Sequence, residues 1–555
     1  MAGRDELVFL ALGGAGEIGM NLNAYGYGPP DRRKWVIVDL GVTFGDQTTP
    51  GVDVILPDPS YLESERDNLL GIVLTHAHED HIGAVGWLWP RLRAPIFATP
   101  FTAELVRQKL IEKGIDPDPI LTIVPMKGTL QLGPFAMQYV TLTHSIPEPN
   151  GLIVRTPLGA VLHTGDWKID PDPLIGETTD VATLRSIGDA GVLAMVCDST
   201  NALFEGEAGS EADVRKHLGD VIREQEGRVA VAAFASNVAR LQSAVIAARE
   251  AGRSVCLVGR SMFRITAAAR GVGLLQDAGF IDVQEASYLS ADKVLYLCTG
   301  SQGEPNAALA RIAQGGHPHV KFGEGDTVIF SSRVIPGNEI PIRNLQNRLA
   351  DRGVRVITDR ERDIHVSGHP YRDDLRQMYQ WARPRIAIPV HGERRHLMEH
   401  CRLARALQVE TAIAPRNGEV IRLAPGPAEV IDEAPAGRLH VDGAVIVPAE
   451  CAPLKDRRRM AANGQVSVSL VMDAKGKLIA GPEVRARGLA EPDGRPADES
   501  LDPVADAAEA ALAGMSQKDR RDPDLVEDAV ARAARRAVER RWGKKALVDA
   551  VVMVV

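Results

Sequence analysis

Three histidines and one aspartate crowd into Thr75-His76-Ala77-His78-Glu79-Asp80-His81. Imidazole and carboxylate are side chains that bind zinc and manganese at neutral pH. The apolar run Ile72–Leu74 before them reads as a strand, and Ile82–Leu88 after them reads as the start of a helix. In an extended chain, residues two apart point the same way, so His76 and His78 can converge on one metal. Asp80 and His81, at the turn into the helix, can face a second metal beside it. Two adjacent ions sharing a hydroxide suit in-line attack on phosphorus. Four side chains cannot complete two such sites, so further ligands must come from elsewhere in the chain.

The elements that must position them are mixed. The first part alternates short β-rich runs, such as Val8–Leu12, Trp35–Val38, Phe135–Leu142 and Val161–His163, with helical stretches such as Thr102–Lys113. From about Glu207 the texture changes to repeated strand–helix units. Val229–Phe234 leads to Val238–Ala251, and Val255–Val258 leads to Phe263–Ala278, which predicts a parallel sheet and a domain of its own. Residues 426–452, rich in Pro, Ala and Gly, read as a connector with some short strands. The last hundred residues predict a small α/β domain: a hairpin through Asp473–Lys477, two helices and a closing strand, Ala546–Val555. Each helix opens on Asp-Pro, at Asp502 and Asp522, with Asp expected as N-cap and Pro as first helical residue.

A chain of 555 residues is too long for one core, so two to four domains are expected. There is no apolar run long enough to span a bilayer, and the start of the chain does not read as a signal peptide. The five cysteines are widely spaced, which fits buried thiols in a reducing cytosol and gives no cysteine-ligated metal site. The net charge of -9 opposes nonspecific nucleic-acid binding, so a nuclease of this composition must concentrate positive charge locally.

Gly14-Ala15-Gly16-Glu17-Ile18-Gly19 matches a dinucleotide-binding fingerprint, with Asp39 where a ribose-binding carboxylate would fall. The helix that the fingerprint requires is missing. Asn21–Gly28 alternates as a strand does, and Pro29-Pro30 would break a helix. A Gly-rich hairpin bringing backbone close to the metal cleft is the better expectation.

The His76–His81 motif resembles the opening motif of the metallo-β-lactamase superfamily, and later segments fit the rest of its pattern. His144 follows Thr141-Leu142-Thr143, Asp166 follows Leu162-His163-Thr164-Gly165, and His391 follows Ile388-Pro389-Val390. The resemblance implies that His76, His78, His144 and Asp166 hold one metal. Asp80, His81, Asp166 and His391 would hold the other, with Asp166 bridging. Asp39 would support the ligand loop from behind, and His163, which has no place in the pattern, would be a hydrogen-bonded core histidine.

The long stretch between Asp166 and His391 resembles the β-CASP insertion of nucleic-acid-processing members. Asp198 in Val196-Cys197-Asp198-Ser199-Thr200-Asn201 and His369 in His365-Val366-Ser367-Gly368-His369 match its flanking motifs. Gly13–Asn21, Phe234–Asn237, Thr299–Pro305, Ser331–Glu339 and Leu454–Arg459 resemble ribonuclease J in particular, and the likeness is weakest between 481 and 545.

The fold implied is an α/β metallo-β-lactamase αββα sandwich over 1–206 and 361–425. A β-CASP α/β domain is inserted at 207–360, a linker follows at 426–452, and a small C-terminal α/β domain occupies 453–555. The implied activity is a cytoplasmic, metal-dependent ribonuclease acting in RNA maturation, ribosomal RNA processing and mRNA decay. It would combine 5′-to-3′ exonuclease action, preferring a 5′ monophosphate, with endonuclease cleavage. The cofactors would be two divalent ions, zinc first and manganese as the alternative. Asp80, His369 and Asp198 would be catalytic; Ser236, His365, Ser367, Gly368 and His369 would grip substrate phosphate. Single-stranded RNA, other copies of the chain in a homodimer or homotetramer joined through the C-terminal domain, and other RNA-decay proteins are the expected partners, with no membrane. The rival readings are a hydrolase of a small thioester or lactone and a noncatalytic RNA-binding scaffold.

Overall fold

A computed structural model describes residues 4–46, 48–335, 337–497 and 500–555. Its contacts divide the chain into two units: 1–43 with 55–438, and 44–54 with 439–555.

In the first unit, two sheets lie face to face. One has eight strands in the order Glu429–Glu433, Glu419–Ala424, Glu6–Gly13, Leu22–Gly28, Lys34–Val38, Leu69–Val73, Ile96–Ala98 and Leu121–Ile123. The other has seven, in the order Thr129–Leu132, Phe135–Thr141, Asn150–Thr156, Gly159–His163, Ala194–Asp198, Ile386–Val390 and Thr411–Ala412. Alternation along these strands sends Phe9, Tyr25, Val36 and Val73 from one sheet against Met137, Leu152, Val196 and Ile388 from the other. The seven-stranded sheet buries its second face, including Ile153, Leu162 and Met195, under the helices Val181–Ala190, Arg372–Ala382 and Arg394–Ala406. Tyr139 ties the sheets together: its buried hydroxyl donates to the carbonyls of Leu74, 3.1 Å, and Phe97, 3.2 Å.

The middle of the chain forms a separate six-stranded sheet, ordered Phe280–Ile281, Ser254–Val258, Val294–Cys298, Val229–Ala232, Thr327–Phe330 and Arg355–Ile357. Every pair in it is parallel, as the strand–helix repeat predicts. The helix expected over Phe263–Ala278 runs instead over Arg260–Gly271, where Gly271 and Gly273 end it. Arg240 fixes this insertion to the loop that re-enters the sandwich. It is 1 % exposed, donates to both carboxylate oxygens of Glu211 at 2.9 and 3.1 Å, and reaches the carbonyls of Ser331 and Ile364.

The second unit packs the helices Asp502–Ala513 and Pro523–Trp542 on a sheet ordered Leu478–Arg487, Gln465–Met472 and Leu547–Val554. Four of the five cysteines are buried and Cys451 is half-buried. Among the described residues, no helix is long and apolar enough to cross a membrane.

The two Asp-Pro helix starts differ. Asp522 is an N-cap as expected, its carboxylate accepting from the amides of Asp524 and Leu525 at 3.1 and 3.4 Å. Asp502 is not. The cap there is Leu501, in helical conformation and without a side-chain bond, so Asp502 is already inside the first turn. Asp522→Ala should therefore lower stability by about 1 kcal/mol, seen as a lower denaturation midpoint. Asp502→Ala should leave the midpoint in place, and equal shifts would contradict this distinction.

Candidate metal centre

The ligand-bearing loops leave the carboxyl ends of strands, where open α/β sheets place their sites. Gly159–His163, Ala194–Asp198 and Ile386–Val390 are adjacent and parallel, with Val196 level with both His163 and Ile388. Asp166, Asp198 and His391 thus emerge at one edge. His144 follows Phe135–Thr141 in the same sheet, and His76 to His81 arrive from Leu69–Val73 of the facing sheet. Asp80 and His81 lie in a single helical turn, Glu79–Ile82, with a second helix only from Val85.

The expected ligands come together in two groups sharing one carboxylate. His76, His78, His144 and Asp166 each offer an atom within 4.8 Å of the others, and so do Asp80, His81, Asp166 and His391. Asp166 Oδ2 lies 3.1 Å from His81 Nε2, 3.4 Å from His391 Nε2, 3.8 Å from His144 Nε2 and 3.9 Å from His76 Nε2. The other oxygen, Oδ1, is buried with no hydrogen-bond partner.

Hydrogen bonds behind the imidazoles decide which nitrogen faces inward. Thr75 Oγ1 donates its single proton to Asp39, so it accepts from His76 Nδ1, 3.0 Å away. His144 Nδ1 donates to the carbonyl of Gly368. Both Nε2 atoms are therefore lone pairs, and both aim at His78 Nδ1, at 3.1 and 3.0 Å. One N–H cannot satisfy two such acceptors. Burial first, then the neighbouring imidazoles, pushes His76 and His144 down, and burial takes His78 to about 4. Three neutral imidazoles converging on one point, beside an orphaned carboxylate oxygen, form a donor set that a divalent cation satisfies.

On the other side, His81 Nδ1 donates to Asp39 at 2.7 Å, and His391 Nδ1 lies against the Asn21 side-chain amide, 2.9 Å from Nδ2 and 3.1 Å from Oδ1. Asn21 Nδ2 in turn donates to the Asp80 carbonyl at 3.0 Å. Burial opposes charge on His81, but Asp166, Asp80 and Asp39 outweigh it and raise the imidazole. Asp39 and His391 hold left-handed backbone, φ 64 and 51, which is unusual away from glycine and common at functional sites. The Gly-rich segment forms no helix: Ala15–Gly16 pairs with Gly392–Glu393, and the Gly14 carbonyl accepts from the His391 amide at 2.7 Å. His163 is a core residue at 3.0 Å from the Tyr25 hydroxyl, as expected.

His369 and Asp198 adjoin this centre. Asp198 Oδ2 accepts from His369 Nδ1 at 2.8 Å, and Asp166 Oδ2 is 3.8 Å from the same nitrogen. Burial alone would lower His369, but Asp198, Asp166 and Asp80 raise it to about 9. Cations bound alongside would act in the opposite sense.

Among the expected phosphate-gripping residues, Ser367 Oγ accepts from Asn201 Nδ2, 2.8 Å, and the His369 amide, 3.2 Å. His365 Nδ1 lies 3.5 Å from Arg240 Nη1, at the outer limit of a hydrogen bond, and burial and Arg240 lower its pKa. Ser236 is half-buried in the turn before Val238–Glu250. Sequence reasoning assigned no role to Thr75, Asn21 and Asn201, although each lies within or beside a segment that stands out there.

These features define a metallo-β-lactamase-type hydrolase with a β-CASP insertion, and the comparisons agree. Sequence models match for the metallo-beta-lactamase superfamily over residues 23–192, the ribonuclease J beta-CASP domain over 226–349, the Zn-dependent metallo-hydrolase RNA specificity domain over 353–415, and the ribonuclease J C-terminal domain over 452–555. Ribonuclease J of Sinorhizobium meliloti is 48% identical over 100% of this chain and 98% of its own length. That of Corynebacterium glutamicum is 38% identical over 99% and 76%, and that of Thermus thermophilus 37% over 84% and 82%. A crystal structure of an Enterococcus faecalis protein of unknown function shares the fold, with TM-score 0.51 and 16% identity, over 75% of this chain and 100% of that one. The chain belongs to the ribonuclease J family of metal-dependent nucleases.

Gly368 leaves no room for a side chain. A Cβ there would sit 2.8 Å from His144 Cε1 and 2.6 Å from Ser145 Oγ. Gly368→Ala should displace the imidazole and weaken metal binding about 10- to 100-fold, read by chelator competition. Unchanged affinity would show that the Gly368–His144 bond does not orient the ligand.

Proposed function

We propose that the protein cleaves single-stranded RNA with two bound zinc ions, manganese being the alternative. One ion would lie among His76, His78, His144 and Asp166, the other among Asp80, His81, Asp166 and His391. The observation that carries this reading is the pair of four-residue ligand groups sharing Asp166. The donor atoms are all nitrogen and oxygen, which suits these metals. Bound there, divalent ions would acidify water and offset the phosphate's charge.

The chain's own groups would do the rest. Water adds to phosphorus, the bond from phosphorus to the 3′ oxygen breaks, and His369 gives that oxygen a proton. Asp198 holds Nδ1–H, which leaves Nε2 as the donor. Asp80, whose side chain is 27% exposed, is open enough to orient the water or take its proton.

Preference for a 5′ monophosphate, with 5′-to-3′ exonuclease and endonuclease action, would follow from a pocket of Ser236, His365, Ser367, Gly368 and His369. Ser367 Oγ accepts two bonds, which would leave its own proton available to an anion. The Gly368 carbonyl is taken by His144, so its contribution would be the N–H. Arg240 beside Nδ1 favours the His365 tautomer with the proton on Nε2. Ser236, Ser367, the Gly368 N–H and a neutral His365 would bind an anion without adding net charge.

Labelled RNA bearing a 5′ triphosphate, monophosphate or hydroxyl should be cut fastest as the monophosphate, and not at all after chelation. His369→Ala should lower kcat about 10²- to 10⁴-fold with metal content retained. Asp80→Ala that kept full cleavage in saturating Mn²⁺ would rule the mechanism out.

We also propose work in the cytoplasm, in RNA maturation and decay alongside other decay proteins, and assembly into dimers or tetramers through 453–555. Support for assembly is the edge strand Leu547–Val554, which leaves Val551, Met553 and Val554 about half exposed. Light scattering should give a multiple of the 59.8 kDa chain, falling to a monomer when 453–555 is deleted. A full-length monomer would contradict it.

A further inference from the structure

Beside His369, three planar groups cluster with no part in the chemistry above. The rings of Phe204 and Tyr371 have centroids 5.7 Å apart and planes 31° apart. The Arg333 guanidinium lies 4.7 Å from the Phe204 centroid, and its Nη1 donates to the Tyr371 hydroxyl at 3.0 Å. Phe204 nevertheless remains 42% exposed.

The group is built onto the catalytic segment. Asp198 binds His369, Asn201 binds Ser367 and the His369 carbonyl, and the Phe204 carbonyl accepts from the Arg372 amide at 3.0 Å. The stretch from Asp198 to Phe204 therefore runs alongside His369 to Arg372, with the exposed ring at its far end. Arg333 comes from the inserted domain, where Gln302 holds its loop by donating to the Arg333 carbonyl and accepting from the Ile335 amide. This gives a physical role to parts of Thr299–Pro305 and Ser331–Glu339, which stand out in the sequence.

Charge points the same way. Nearby, Arg372 pairs with Glu205 and Glu399, and Arg376 with Glu205 and Asp373. Among the described residues, Arg333 has no carboxylate partner. In a chain of net charge -9, an uncompensated guanidinium over an exposed aromatic ring is available to a substrate both planar and anionic.

We infer that Phe204, Arg333 and Tyr371 form a stacking subsite for one nucleobase of the RNA near the scissile phosphate. The inference rests on the ribonuclease reading and adds to it a contact to the base. A base extends the stack, and the remaining guanidinium N–H groups meet its edge or its phosphate. Every base has a π face, so this contact is tolerant of sequence.

The test uses the full-length, metal-loaded protein and 5′-monophosphorylated RNA, intact or carrying one abasic nucleotide at successive positions. Phe204→Ala should raise KM for intact RNA about 5- to 150-fold, the range for one stacked base, with kcat unchanged. Phe204→Trp should keep the wild-type KM, while Phe204→Leu should not. At one abasic position the difference between wild type and Phe204→Ala should disappear. A KM that is unmoved by Phe204→Ala, or raised equally at every abasic position, overturns the inference while the nuclease reading stands. A wild-type protein that cuts none of these RNAs overturns both.

Discussion

Everything at the centre depends on one electrostatic constraint. Among His76, His78 and His144, neutral imidazole nitrogens are held facing one another and a carboxylate in a buried space, where like partial charges repel unless a cation lies between them. The protein accepts that repulsion by fixing each ligand from behind. Asp39 does most of this, accepting from both Thr75 and His81. It reaches both ligand groups at once, because Thr75 sets His76 on one side and His81 belongs to the other. Metal binding then favours the folded chain over the unfolded one, since the facing nitrogens are assembled only by the fold.

The same logic joins the insertion to the sandwich. Arg240 is buried with Glu211, an arrangement whose desolvation offsets much of the attraction between the charges. Its value is geometric. The guanidinium also holds the carbonyls of Ser331 and Ile364, and Ser331 Oγ donates to that same Ile364 carbonyl at 2.6 Å. The residue just before His365 is thus fixed by the inserted domain. The loop through His369 inherits its position from two halves of the chain.

This explains how much could be read from the residues alone. His76 to His81 were legible because strand geometry converts spacing of two into a shared direction. The parallel sheet was legible because strand–helix alternation admits few other solutions. The dinucleotide fingerprint is excluded by the residues themselves, because Asn21–Gly28 alternates as a strand does, and that stretch holds the strand Leu22–Gly28. Asn21 was not legible as the partner of His391, which lies 370 residues away. Nor was the direction of each imidazole, set by a threonine hydroxyl or a backbone carbonyl. Asp502 and Asp522 share one local signal, yet only Asp522 takes the extended backbone of a cap. Local rules fix which residues are suited to a task, and long-range contacts fix which of them perform it.

The net charge of -9 then ceases to be a contradiction. An anionic substrate responds to the field where it binds, and that field is set within about a Debye length, roughly 8–10 Å in physiological salt. Arginines such as Arg372, Arg376 and Arg457 are matched by carboxylates. The metal-ligand groups gather carboxylates whose charge bound cations would exceed. Beside them, Asp198 favours the charged form of His369 against burial and against the bound cations. Bound cations would make this centre favourable to an anionic substrate whatever the sign of the net charge.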